Sequence, residues 1–398
     1  MVEGVRAVNE VRNTRVGFVL PPGDWAGGKN YLRNLFVATR DLSGSPITPV
    51  LFLGKHQSEA SGFPDVETVA TSLLDRKSPL WFLRKVIAKT TSQDVLLGRL
   101  MQRHNISVLS HSPHLGKQTA IKTIGWIPDF QHVYLPQFFT PQERSLRDRD
   151  FMSVCVQCDK VIVSSQAAQA DLKSFAPDYV YKVELLRFVA SPVPLSNAAS
   201  LPELQKIYNF DAPHFILPNQ FWAHKNHRVV ISALRELKRQ GLRLLVLATG
   251  STKDYRNPSF FPSLMQYAAE CDVLDSFRVL GQIPFEHLAG LMRHAVAFIN
   301  PSQFEGWSTS VEEAKSMGKQ IVLSDIPVHR EQAPERGFYF PAEDPKTLAG
   351  AMVAAYTGFD ESHDAAMQDA ATVRFPERLL EFGKAYLSVV ENLTSSCP

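Results

Sequence analysis

A chain of 398 residues with 44% hydrophobic and 21% charged side chains exceeds what one hydrophobic core organises and is too apolar for disorder, so it implies two domains of roughly 150 to 200 residues. A net charge of only +2 excludes nucleic acid as the main partner, because neutralising a phosphate backbone takes a dense basic face. Apolar runs such as residues 16–20 and 244–248 are strand-sized, and none approaches the ~20 residues of a membrane span.

Residues 1–15 carry Glu3 and Glu10 among scattered arginines and lack the apolar centre of a secretory signal, which predicts a cytoplasmic location. An apolar run at 15–20 leads through Pro21, Pro22 and Gly23, then Gly27 and Gly28, into a helical stretch from Asn30. Strand, loop and helix form the opening unit, and the glycine pair would let backbone approach a ligand closely. Residues 76–89 hold Arg76, Lys77, Arg84, Lys85 and Lys89 among Leu80, Trp81, Phe82, Leu83, Val86 and Ile87, with no acid. Such a stretch suits peripheral contact with an anionic membrane at its inner face, where a lipid-linked acceptor lies, and equally a helix packed on a sheet with snorkelling lysines.

Apolar runs at 50–53, 108–109, 123–127 and 161–163 alternate with longer polar and amphipathic stretches, the rhythm of a parallel sheet. Asp129 and His132 follow the strand at 123–127, at the carboxyl end where ligands bind. Cys155 and Cys158 form a CxxC without a second pair and are expected to be buried thiols. Residues 190–204 then turn to Ser, Pro, Ala and Asn without a sustained period, so a linker is expected at 191–205, after an N-terminal domain over 1–190.

A second α/β series, over 206–375, has strands at 215–217, 244–248, 277–280, 295–299, 321–323 and 338–340, and a helix whose Val230, Ala233, Leu234 and Leu237 share one face. The connections worth searching follow its strands, at 218–227, 281–284 and 300–310. A helix beginning near Thr309 would leave the amides of residues 307–310 unpaired at its positive end, a seat for a diphosphate. Glu305 before that helix and Glu313 one turn inside it could each accept hydroxyl hydrogen bonds, which fits a nucleotide sugar. The plainer reading is that Glu305 caps the helix while Glu312 and Glu313 complement its dipole. Lys225, at another helix start, would neutralise a leaving diphosphate. His224 and His227 bracket it with no partner that completes a metal set, and the chain lacks a GxGxxG for a nicotinamide or flavin.

Pro301, Ser302, Glu305, Gly306, Trp307, Glu313, Ala314 and Gly318 together resemble the signature of the family 4 glycosyltransferases of the GT-B fold. The resemblance implies two Rossmann-like domains facing across a cleft, and retaining, metal-independent transfer of a hexose from a GDP- or UDP-sugar to a glycan or lipid-linked acceptor. That is the chemistry of surface polysaccharide or lipopolysaccharide synthesis. No cofactor would be tightly bound; the nucleotide sugar is a co-substrate. The resemblance assigns the donor sugar to Glu305, the ribose to Glu313, and the diphosphate to Lys225 and the loop Gly306, Ser308, Thr309 and Ser310. It assigns the base to the loop around Ile283, and matches Gly27 and Gly28 to the family's glycine loop. Gln220 stands where the family has arginine, and Pro128 where it has histidine, so Asp129 carries over and His132 becomes the substitute. The segment 376–398 is expected to cross back to the first domain. Gln220 and Pro128 also suit a non-catalytic or epimerase-like homologue that binds a nucleotide sugar.

Overall fold

The computed structural model describes residues 13–20, 26–40, 42, 47–57, 63, 65–112, 114–116, 120–191 and 198–395. The expected turn at 21–23 and residues 192–197 of the expected linker lie outside them.

The first sheet comprises β1 (Thr14–Val19), β2 (Ile47–Leu53), β3 (Glu67–Ala70), β4 (Val108–Ser110), β5 (Lys122–Trp126), β6 (Lys160–Val163) and β7 (Val183–Leu185). Its seven strands run in the order β3-β2-β1-β4-β5-β6-β7, every pair parallel. The second sheet comprises β8 (His214–Pro218), β9 (Leu245–Thr249), β10 (Phe277–Gly281), β11 (Phe298–Asn300), β12 (Ile321–Ser324) and β13 (Gly337–Phe340). Its order is β10-β9-β8-β11-β12-β13, again all parallel. Parallel strands buried on both faces need continuous apolar runs, which β8, β9 and β12 supply. In both sheets the order reverses beside the first strand, so each opens a crevice at its carboxyl edge.

Two boundaries differ from the sequence reading. The helix Ala26–Arg40 starts before the glycine pair, so Gly27 and Gly28 sit in its first turn rather than in a loop. The helix Leu201–Tyr208 occupies the end of the expected linker. Its Pro202 reads as punctuation, yet proline fits a first helical turn, where its missing N–H would be unpaired anyway.

The two cysteines of the CxxC are buried at the end of the helix Pro141–Gln157, and burial pushes their thiols up to about 11 for Cys155 and about 12 for Cys158. The helix Pro79–Thr91 is built inside out. Its one buried residue is Arg84, paired with Asp94 at 2.7 Å, whereas Leu80, Phe82, Leu83 and Val86 are exposed, Val86 by 59%. It is therefore not a helix that packs its apolar face on the sheet. No helix among the described residues is long and apolar enough to cross a membrane.

The last helix, Glu361–Ser395, runs unbroken through Pro376 and joins the domains. Before the proline, Asp364 is buried between Lys319 and Arg336 of the second domain. After it, Leu379, Phe382, Tyr386, Val389, Val390 and Leu393 belong to the core that also holds Tyr31, Phe36 and Phe18 of the first. Gly383 permits this packing, because a Cβ there would lie 2.3 Å from the carbonyl oxygen of Ala38.

Candidate active site

A cavity of about 180 Å³ opens where the two carboxyl edges meet, with Gly27, Tyr31, Trp126 and Asp129 on the first domain's side and Lys225, Glu305, Gly306 and Thr309 on the other. Lys225 closes a short 3-10 turn, Ala223–Lys225, just ahead of the helix His227–Arg239 rather than at its start. Its Nζ donates to Glu305 Oε1 at 2.6 Å. Burial pushes the Glu305 carboxyl up, but the charge and hydrogen bond of Lys225, with Ser302 and His329, outweigh it and hold the group below its usual range. Two residues 80 apart in sequence thus make one buried ion pair in the cavity wall.

The helix Thr309–Ser316 follows Glu305 and begins at Ser308. The amide of Ser308, expected to face a ligand, is instead bonded to Gln332 Oε1 at 3.3 Å, and its hydroxyl accepts from Asn300 at 2.7 Å. The Ser310 hydroxyl is likewise drawn to Asn300, at 3.1 Å. The amides of Thr309 and Ser310 have no acceptor among the described residues, which leaves a two-donor seat at the positive end of the helix.

Adjacent glutamates take opposite roles. Glu312 is buried and held by Lys315 at 2.9 Å, by Gln332 at 3.0 Å and by Arg378 of the crossing helix at 2.6 Å. No hydrogen bond or ion pair reaches the Glu313 carboxylate among the described residues, and burial pushes it up to about 7. Gln220 is half-buried, its carbonyl accepting from Trp222 N at 2.8 Å, and Ile283 is partly buried against the core that holds Ala289 and Met292.

On the first domain's side, Asp129 receives Arg147 at 2.9 Å and the amide of Gln131 at 2.9 Å. His132 does not reach the cavity. Its Nε2 meets Asp148 at 3.0 Å, its ring lies among Phe139 and Phe151, and burial pushes its pKa down. The role expected of His132 as the substitute histidine is corrected accordingly: a helix turn after Phe130 aims the ring at the helix Pro141–Gln157.

Further contacts between the domains close the site. Trp307 drives its ring into the first domain's core and donates Nε1 to the carbonyl of Phe188 at 3.0 Å. Phe304 stacks on Tyr134 with ring centres 5.4 Å apart. Glu331 accepts the Gln166 amide at the start of a first-domain helix, at 2.8 Å, and pairs with Arg187 at 2.7 Å. Gly306 has no alternative, since a Cβ there would lie 1.9 Å from the carbonyl oxygen of Pro128 across the cleft.

Residues 212–357 match the family described as Glycosyl transferases group 1. The second domain is a group 1 glycosyltransferase domain. Over 141 residues the chain is 29% identical to the serotype-specific mannosyltransferase WbdA of Escherichia coli, covering 35% of this chain and 17% of that protein. The chain therefore covers well under two thirds of that relative's length. A crystal structure of a glycosyltransferase from Rickettsia africae ESF-5 superposes with a TM-score of 0.67 at 16% identity, over 96% of this chain and 97% of that one. Anabaena Alr3699/HepE in complex with UDP-glucose gives 0.67 at 15% identity, over 96% and 99%. At such identities the likeness is one of fold, and the fold of this chain is GT-B: two Rossmann-like domains facing across a cleft.

Proposed function

We propose that the protein moves a hexosyl unit from a GDP- or UDP-sugar to a glycan or lipid-linked acceptor in surface polysaccharide or lipopolysaccharide synthesis, with retention at the anomeric carbon and without a metal. The observation that carries this reading is the Lys225–Glu305 pair in the wall of an interdomain cavity, beside a helix whose Thr309 and Ser310 amides have no acceptor among the described residues. Similarity to a mannosyltransferase favours a mannosyl unit.

In this mechanism the acceptor hydroxyl attacks the anomeric carbon on the face that the diphosphate leaves. The bond from that carbon to the phosphate oxygen breaks with its electrons on the oxygen, the new glycosidic bond forms, and the acceptor's proton passes to the same phosphate. Lys225 and the amides of Thr309 and Ser310 stabilise the departing charge. Glu305, kept ionised by Lys225, accepts sugar hydroxyls; Glu313 accepts those of the ribose; the backbone near Ile283 meets the base. Gln220 adds a neutral donor, and Gly306 brings backbone close to the phosphates. Asp129 faces the donor sugar, and the first turn at Gly27 and Gly28 brings backbone close to the donor.

The helix Pro79–Thr91 adds a contact with the anionic inner face of a membrane. Its exposed apolar side chains lie among Arg76, Lys77, Lys85 and Lys89 with no acid between residues 76 and 93, a match for lipid headgroups over a hydrocarbon layer.

Thermal stabilisation against a panel of GDP- and UDP-sugars, followed by a hydrolysis assay, tests the transferase. A donor at 100 times its dissociation constant stabilises by about 2.7 kcal/mol. Stabilisation lost in Glu313→Ala, with slow donor hydrolysis in the wild type, is the expected result. Binding without turnover in the presence of acceptor would favour a non-catalytic or epimerase-like homologue, and no binding would remove the donor site.

A further inference from the structure

We propose that His224 recognises a hydroxyl of the glycosyl unit carried by the donor and so sets which sugar the cavity accepts, an inference that rests on the donor-site reading above. His224 is 4% exposed and lines the cavity beside Lys225 and Glu305. Its Nδ1 is buried and has no hydrogen-bond partner within the described residues. Buried polar atoms without a partner are uncommon, and this one belongs to a ring that lines the cavity.

The side chain is firmly placed. Its backbone carbonyl accepts the amide of Gln303 at 2.9 Å, which ties it to the loop that carries Glu305, and its ring lies against Trp222 with centres 5.7 Å apart. A wall residue tied to that loop moves with the carboxylate that would hold the sugar.

Its chemistry separates sugar from phosphate. Burial, reinforced by the charges of Lys225, Arg256 and His227, pushes its pKa well below the usual value, so the imidazole stays neutral and adds nothing to the binding of a diphosphate. A neutral imidazole donates from one ring nitrogen and accepts at the other, which is what a hydroxyl of an uncharged ring requires. The neighbouring surfaces of Tyr31, Trp126, Trp222 and Phe304 offer flat apolar faces for the carbon–hydrogen side of the same ring.

The test is titration calorimetry of wild type, His224→Ala and His224→Asn with GDP, UDP and their hexose conjugates. The expected result is an affinity for the free nucleoside diphosphate unchanged within twofold, and a sugar-nucleotide affinity about tenfold weaker in His224→Ala, the loss of one hydrogen bond. His224→Asn, which keeps a donor and an acceptor, should recover part of that loss and shift the preference among hexoses. If the substitutions leave sugar-nucleotide affinity and preference unchanged, or weaken the nucleotide alone to the same extent, His224 is structural and the inference is overturned while the donor site stands. If the wild type binds no nucleotide, the donor-site reading falls and takes the inference with it.

Discussion

Replacing Glu313 by glutamine should stabilise the unliganded protein, and the gain should grow with pH. Burial without a partner lifts the folded-state carboxyl from 4.5 to about 7. A carboxyl with a raised folded pKa binds more protons folded than unfolded between those two values, so each rise in pH across that window subtracts stability. Linkage with those two values gives a cost of about 0.8 kcal/mol at pH 5 and about 3.3 kcal/mol at pH 8. Glutamine carries no such cost, so the variant should gain about 2.5 kcal/mol relative to wild type over that interval. At about 2 to 4 °C per kcal/mol for domains of this size, the difference in melting temperature should widen by about 5 to 10 °C. Differential scanning fluorimetry of both proteins from pH 5 to 8 measures it, since every other group cancels in the comparison. A difference that stays flat with pH would refute the claim that Glu313 waits in the fold as a desolvated acid. The same reasoning makes donor binding release a proton: a ribose that holds the carboxylate ionised should bind more tightly as pH rises through 7, and this slope should vanish in the variant.

Lys225→Met should cost about 3 kcal/mol in urea denaturation, because it strands a buried carboxylate, and Lys225→Met with Glu305→Gln should regain most of that without regaining donor binding. Since Glu305 titrates below its usual value, the pair's contribution should be present above pH 4.5 and lost as pH falls further; a double variant no more stable than the single one would dismiss the coupling. Gly306→Ala sets a methyl against the Pro128 carbonyl and should raise the radius of gyration in small-angle scattering, with an unchanged value meaning that the cleft contact is not close in solution. Wild type should float with vesicles containing anionic lipid and not with neutral ones, and Phe82→Ser with Leu83→Ser should abolish this. A concentration-dependent dimer lost in the same variant would instead assign the patch to a second copy.

The sheets were legible because parallel strands at 215–217, 244–248 and 321–323 are apolar throughout. Lys225 and Glu305 were legible as separate motifs at strand ends, and the fold explains their meeting, since β8 and β11 are neighbours. Three kinds of feature escaped. Neighbouring glutamates look alike in sequence, but Lys315, Gln332 and Arg378, the last arriving from the last helix, anchor Glu312, while no partner among the described residues reaches Glu313. His132 and Arg84 were read by their chemistry, but each is claimed by a distant or local acid, Asp148 and Asp94. Gln332 has no motif at all; it seals the Ser308 amide and carbonyl from 24 residues away. The linker was overextended because Pro202 and its polar neighbours resemble a loop until the helix register is known.

The crossing helix gives this chain an unusual order of completion. Residues 379–393 fill the core of the domain whose strands are synthesised first, so that domain emerges with an open apolar groove along the helix Ala26–Arg40 and keeps it until the whole second domain has been made. On the ribosome, the earlier domain is therefore the later one to finish, and its half-built core is the surface that chaperones would find exposed.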